Sequence, residues 1–328
     1  MPYDSLVSQA DASALIPEDA AKEIIKGVTV QSAAMQLFTH RRMTRQQQRL
    51  PVLSLLPTAY FVNGRTGLKQ TAKVNWTNKY LDAEEIAVIV PIPESLMADV
   101  DYPLWDEIKP LLEEAIAICL DDAIFFGTNK PTSWPNDIKA AAAAASNTYN
   151  YTASAVDLAE DINQMMKKVE LDGYDVNGFW AYMGLKSMLR GLRDANKQPI
   201  FLPDNQAQLR DGIGGGQGKG MTRGTIYGET AYFSKAGFAS MGEAAGNVML
   251  IAGDWSQGII GIRDDITYKV LDQAVIQDNT GAIIYNLAQQ DMVALRVTFR
   301  AAFQVPNPIN RMNTTDATRY PFATLLHL

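Results

Sequence analysis

The sequence predicts an α+β fold, and three features carry that prediction. Between residues 103 and 126, apolar side chains recur at spacings of three and four, which marks a long helix with one buried face. From residue 291 to 303, Val293, Leu295, Val297 and Phe299 alternate with Ala294, Arg296, Thr298 and Arg300, the period of a strand. Between these lies a stretch where helical and β-prone segments take turns. It runs from Ile162, Met165, Met166 and Val169 at helical spacing to the run Phe179-Trp180-Ala181-Tyr182-Met183. The 328 residues are 47% hydrophobic and 20% charged, so the chain has apolar material for a large core and is too apolar to be disordered over most of its length.

In chain order, residues 1–49 read as an arm with short helices. Pro17-Glu18-Asp19 opens one and Gly27 closes it; Val30, Ala33, Ala34, Leu37 and Phe38 lie at helical spacing in the next. The polar stretch 40–49 follows, with Arg41, Arg42, Arg45 and Arg49 and no acid. It reads either as a solvated linker or as a contact with acidic subunits or packaged nucleic acid. Residues 50–90 read as a long hairpin. Pro51-Val52-Leu53 and Ala59-Tyr60-Phe61-Val62 are β-prone, Asn63-Gly64 is a turn signal, residues 68–76 alternate loosely, and residues 86–90 form a firm strand. Polar residues are interleaved throughout, so this hairpin cannot bury both faces within itself and needs a neighbour.

Asp101 is placed to cap the long helix, Pro103 sits in its first turn and Gly127 ends it. Residues 103–126 would span roughly 36 Å. Pro110 should kink the helix or split off its first turn. The expected buried stripe is Leu104, Ile108, Leu111, Leu112, Ala115, Ile116, Cys119, Ala123 and Phe126, which makes Cys119 a core thiol. The six alanines at 140–145 and the polar residues to 152 read as a crossing between domains. Ser154 and Asp157 then form a capping box before the next helix, which Gly173 stops. A short helix covers 185–193. Residues 248–251, 258–262 and 266–270 read as strands joined by turns, and past Pro306 and Pro308 the tail shows little pattern.

Little here serves chemistry. The glycine-rich stretch 211–224 has Ile213 where a phosphate loop needs glycine and Gly220 where it needs Ser or Thr, so it reads as a surface loop. The doublets Glu84-Glu85, Glu113-Glu114, Asp121-Asp122 and Asp264-Asp265 point to different faces and read as solvated. One cysteine excludes an intramolecular disulfide, and His40 and His327 are the only imidazoles. The net charge of -7 is the wrong sign for a protein whose main task is gripping nucleic acid. The start of the chain is no signal peptide and no apolar run is long enough for a membrane helix, which together predict a soluble protein. No enzyme, cofactor or metal site is expected; the parts are architectural.

Those parts fall in a familiar order. Trp76, the run Glu85-Ile86-Ala87-Val88-Ile89-Val90-Pro91-Ile92-Pro93-Glu94-Ser95-Leu96-Met97 and the helix ending Ile124-Phe125-Phe126-Gly127-Thr128 resemble the major capsid proteins of tailed phages, the Hong Kong 97 fold. So do Val248-Met249-Leu250-Ile251-Ala252-Gly253-Asp254-Trp255, Ile260-Gly261-Ile262-Arg263-Asp264 and the closing run Ala294-Leu295-Arg296-Val297-Thr298-Phe299-Arg300. The resemblance covers about residues 20–310. It implies an N-terminal arm at 1–49, an extended E-loop at 50–90 and a P-domain at 91–152 with its spine helix at 103–126. An A-domain would occupy 153–285, and 286–328 would hold the P-domain return strand and tail.

The resemblance further implies hexamers and pentamers forming an icosahedral shell in the virion, assembled in the host cytoplasm. Expected partners are the chain itself, a separate scaffolding protein, a portal and double-stranded DNA held without sequence specificity, with no membrane. Some members of the family join subunits by a Lys–Asn bond; Lys69 and Lys73 are the E-loop lysines here, but Asp291 stands where that chemistry needs asparagine, so cohesion is expected to be non-covalent. Contact candidates are Arg41, Arg42, Arg45, Tyr60, Phe61, Asn63, Arg65, Leu68, Lys69, Lys73, Glu84 and Glu85, with the arginines meeting Glu84 or Glu85 of a neighbour. The alternatives are an encapsulin-type nanocompartment subunit and a soluble enzyme with an unrecognised site.

Overall fold

The computed structural model describes residues 32–62, 67–95, 104–151, 158–192, 221–278 and 280–328. The helix opened by Pro17, the turn at Asn63-Gly64, Arg65, the caps Asp101, Ser154 and Asp157, Pro103 and residues 211–220 of the glycine-rich stretch lie outside them. The helices are α1 (Ala33–Leu37), α2 (Leu104–Phe126), α3 (Ile138–Ala144), α4 (Leu158–Leu171) and α5 (Leu185–Gly191). The strands begin with β1 (Thr39–Arg42), β2 (Gln47–Leu55), β3 (Asn75–Asp82), β4 (Glu84–Pro93), β5 (Thr148–Tyr151), β6 (Gly178–Tyr182) and β7 (Met221–Ile226). They continue with β8 (Glu229–Ser234), β9 (Val248–Gly253), β10 (Ile259–Leu271), β11 (Val275–Gln277), β12 (Ile283–Asn286), β13 (Met292–Gln304) and β14 (Phe322–His327).

Two larger sheets organise the chain. One has the order β1-β10-β13-β4 and carries α2 on one face; the other has the order β5-β14-β9-β6-β8-β7 and packs against α4 and α5. This is the α+β architecture with a long helix on a sheet, and the alternation expected for 291–303 is the long strand β13. The sheets meet at an aromatic cluster. Phe125 stacks on Trp180 with ring centroids 4.1 Å apart, and Phe38 touches Phe125, Trp255, Phe303 and Phe322. Offset stacks and edge contacts of this kind add to the apolar burial of each ring. α4 buries Leu158, Ile162, Met165 and Val169 as its periodicity requires, and Gly173 ends its last turn at φ +80°.

The structure corrects several expectations. The arginine-rich stretch is no linker: β1 adds in parallel to the edge of β10, from Thr39 opposite Ile259 to Arg42 opposite Ile262. Its flanking Phe38 and Met43 are buried where Gly258 and Gly261 leave room for them, and that burial recruits the polar residues between into the sheet. α2 runs through Pro110 without splitting off its first turn, because one lost backbone bond is outweighed by the apolar face that follows.

That apolar face is also turned from the expected one. Leu112, Ile116, Leu120, Ala123, Ile124 and Phe125 are buried, while Leu111, Ala115 and Cys119 are exposed. Both rows are apolar at i, i+4 spacing, so periodicity alone cannot say which faces the sheet. The alanine run, expected as a crossing, is helical: it forms most of α3, which lies between α2 and β5 and is capped by Asp137, whose side chain accepts from Ala140 N.

The two expected strands at 258–262 and 266–270 are one long strand, β10 (Ile259–Leu271), with irregularities between Ile262 and Thr267 and no turn between them. Residues 221–224 belong to β7 of the β7–β8 hairpin, and the patternless tail supplies β14, inserted between β5 and β9.

Residues 47–93 divide between two sheets. β2 and β3 pair antiparallel as a two-stranded hairpin, Gln47 opposite Asp82 out to Leu55 opposite Asn75. β4 instead pairs with β13, from Glu84 opposite Ala301 to Pro93 opposite Met292. No strand forms at residues 59–62 or at 68–74, where β-prone side chains have no ladder partner.

Candidate assembly surfaces

The β2–β3 hairpin has two unlike faces, set by strand alternation. Leu50 and Leu81 point inward and pack with Met43, Ala83 and Ala302. The opposite face places Arg49 beside Tyr80, Pro51 beside Asn78 and Leu53 beside Trp76, and leaves Trp76 63% exposed. Beyond the strands, residues 56–62 and 67–74 form no ladder. Tyr60 Oη donates to Gln70 O at 3.0 Å, tying the two sides of the tip together. Phe61 is fully exposed and Leu68 89% exposed. An apolar surface of this extent on one limb is the kind that marks a contact with another molecule.

Of the sequence-predicted residues, Tyr60, Phe61, Leu68, Lys69 and Lys73 gather on this tip and are exposed, while Asn63 and Arg65 lie outside the described residues. Arg41 and Arg42 are on β1, with Arg45 on the bend after it. Arg42 Nη2 lies 3.3 Å from Asp265 Oδ2, both side chains being largely solvated. Arg300 donates to Glu85 Oε2 from Nε at 2.8 Å and from Nη2 at 2.6 Å, and its Nη1 lies 3.5 Å from Asp264. Ser133 Oγ donates to Glu84 Oε1 at 2.6 Å. Arg42, Glu84 and Glu85 therefore each have a partner within their own chain, which sequence spacing could not reveal.

Two surfaces escaped the sequence reading. The β11–β12 hairpin exposes Val275, Ile283, Ile284 and Tyr285; the run Ile283-Ile284-Tyr285 was its available signal. The other is the seat of the arm on the long helix. Asp121, read as half of a solvated doublet, is buried. Its Oδ1 accepts from Ser32 Oγ at 2.6 Å and from Ala34 N at 3.0 Å, and its Oδ2 from Ala33 N at 2.7 Å. Burial pushes its carboxyl up to about 7, against the lowering effect of those three donors.

Among the described residues, no group of three or more His, Cys, Asp or Glu side chains is arranged to hold a metal ion, and no helix is long and apolar enough to cross a membrane. Among the described residues, the exposed apolar surfaces that stand out are the tip of the β2–β3 hairpin and the β11–β12 hairpin, both of them limbs.

Comparison with known proteins agrees with that character. The chain is 24% identical over 306 residues to the major capsid protein of Staphylococcus phage 80alpha, covering 92% of this chain and 85% of the relative. A solved chain of Microbacterium phage Oxtober96 superposes with a TM-score of 0.79 at 37% identity, covering 98% of this chain and all of the other. One from Mycobacterium phage Adephagia gives 0.80 at 29% identity, with 98% of each chain covered. The sequence pattern of the phage capsid family matches residues 12–310. With a Hong Kong 97-type fold along its whole described length and a family match over most of its sequence, the chain belongs to the phage capsid family and has a structural, shell-forming role.

Proposed function

We propose that copies of this chain assemble as hexamers and pentamers into an icosahedral shell enclosing double-stranded DNA, held by non-covalent packing. The observation that carries this reading is the solvent-facing apolar tip of the hairpin, Phe61 and Leu68 above all, which a single chain leaves uncovered. Laid over a neighbouring copy, that tip removes apolar area from water at about 25 cal/mol per Å², a gain repeated at every contact of a closed shell. Tyr60, Phe61, Leu68, Lys69 and Lys73 are the tip residues assigned to this contact, and Asn63 and Arg65 are assigned to it from their place in the sequence.

Arg41, Arg42, Arg45, Glu84 and Glu85 lie nearer the hairpin's base and are assigned to register. Exposed ion pairs contribute only about 0–1 kcal/mol each, and Arg42 and Glu85 must exchange or share their present partners to reach a neighbour. The chain's negative charge suits a container whose DNA contacts are few and independent of sequence. A separate scaffolding protein and a portal complete the proposed assembly, which takes place in the host cytoplasm before the chain ends in the virion.

Light scattering followed by negative-stain electron microscopy of the purified chain tests the proposal. Closed polyhedral shells, or uniform hexamers and pentamers, are expected. A chain that stays monomeric both alone and when co-expressed with a scaffolding protein would overturn it.

A further inference from the structure

The hairpin's inner half has an obvious anchor. Leu50 and Leu81 are in a core cluster, and Gln304 Nε2 donates to Tyr80 O at 2.8 Å. Its outer half, from Val52 to Leu55 and Asn75 to Thr77, is a two-stranded ribbon past that core, an arrangement that is marginal in water by itself. A second support reaches it there. Ile309 N donates to Leu53 O at 3.1 Å, and Arg311 Nη2 donates to Pro57 O at 3.1 Å.

Both donors lie on the irregular segment between β13 and β14, and that segment is stiffened from within. Arg319 is 3% exposed and donates to Asn307 Oδ1 at 3.1 Å, to Asn307 O at 3.0 Å and to Asn313 O at 2.9 Å, so one planar guanidinium gathers both ends of the loop. The loop is then fastened to the end of α4. Asn310 Nδ2 donates to Asp172 O at 2.6 Å, and Asn313 Nδ2 to Asp172 Oδ1 at 2.7 Å. Asp172 Oδ2 also accepts from Tyr320 N at 3.0 Å. Gly173 permits this approach, since a Cβ there would lie 2.9 Å from Asn310 Nδ2. Between the loop and the hairpin lies a cavity of about 330 Å³ with Val52, Asn75, Thr77, Ile309 and Arg319 in its lining, and Val52 is buried beside it.

We infer that residues 305–319 are a brace that ties the outer half of the β2–β3 hairpin to the α4 end of the six-stranded sheet's layer, confining the hairpin's bending to the segment beyond Pro57. The brace is a property of the single chain and does not depend on the assembly proposed above. A change at α4 is transmitted to the limb through Asp172 and Asn310, and releasing the loop releases the limb.

Amide hydrogen exchange of the full-length, unassembled chain tests this, comparing wild type with the double variant Asn310→Ala/Arg311→Ala. Loss of the brace is expected to speed exchange about tenfold at Val52–Leu55 and Asn75–Thr77, the effect of removing one or two hydrogen bonds from a locally opening unit. Exchange at Leu50 and Leu81, and in β9 and β14, is expected to stay unchanged. Arg311→Ala alone changes an exposed side chain and keeps the test open if the double variant does not fold; its smaller acceleration is expected at the same residues. Unchanged exchange in the outer hairpin, or equal acceleration in β9, would overturn the inference.

Discussion

Ser32 Oγ and Asp121 Oδ1 are joined by a 2.6 Å hydrogen bond across 89 positions of sequence, and this bond fastens the start of the described arm to the long helix. The same carboxylate receives the N–H groups of Ala33 and Ala34, the first orphan donors of α1. It acts as a capping group supplied from another element, and it places Phe38 in the aromatic cluster four residues on from Ala34.

Asp121 should give the chain a pH-dependent stability of unusual sign for a carboxylate. Its folded pKa is raised by burial from 3.8 to about 7, so the fold disfavours the ionised form. The favourable contribution is complete below 3.8 and is lost as pH rises through about 7. Thermal melting of the unassembled chain is expected to be higher near about pH 5.5 than near about pH 8, with the difference reduced in Asp121→Asn. A wild-type melting point that does not fall over that interval contradicts the assignment. Asp121→Ala, which strands three buried donors, is expected to cost about 3 kcal/mol by denaturant unfolding.

The junction of the two sheets should be the least tolerant site in the chain. Phe125 is fully buried and stacks 4.1 Å from Trp180. Phe125→Ala is expected to lose about 3–5 kcal/mol in equilibrium unfolding, with both sheets weakened together. A loss near the 1 kcal/mol typical of point variants would show that the cluster repacks and the sheets do not depend on it.

The hairpin tip should separate folding from assembly. Phe61→Asp and Leu68→Asp alter side chains that touch solvent in the single chain, so unfolding free energy is expected to move by no more than about 0.5 kcal/mol. Shell yield, measured by sedimentation and electron microscopy, is expected to fall at least tenfold because a charge enters a surface meant to be dry. Normal shells from the double variant would remove the tip from the contact.

Assembled particles are expected to dissolve into single chains on a denaturing gel. Lys69 and Lys73 are exposed on the hairpin tip, but the residue before β13 is Asp291, a carboxylate held at φ +47° whose carbonyl accepts from Glu94 N. It lacks the amide that a Lys–Asn bond consumes. A ladder of covalent multimers would show that a different residue supplies the partner.

Much of the fold was legible because its signals are local. β13 keeps its alternation from Leu295 to Ala301, while Ala294 and the end from Ala302 to Gln304 are buried as well, and α4 keeps its apolar face with Gly173 as its stop. The hairpin's interleaved polar and apolar residues announced that its outer face would lack cover in one chain, and Trp76, Phe61 and Leu68 bear this out. The sites were less legible. Tyr60 and Lys69 entered as contact residues through the family resemblance, and no local pattern carried the partners of Glu85 and Arg42, since Arg300 and Asp265 are more than 200 positions away.

What the sequence by itself determined, then, is the set of elements whose periodicity is strong enough to fix one buried face, together with the absence of the usual catalytic motifs. What only the tertiary structure decided is wherever local signals were balanced or missing. The helix α2 offers two apolar rows, and contact with β13 and α1 chose Leu112, Ile116 and Leu120 over Leu111, Ala115 and Cys119. The tail carries too short an apolar run to name its structure, and pairing with β9 and β5 made it β14. Asp121 looks solvated beside Asp122 until the arm folds over it. In each case the deciding energy is burial or hydrogen bonding against a segment distant in sequence, which local pattern does not encode.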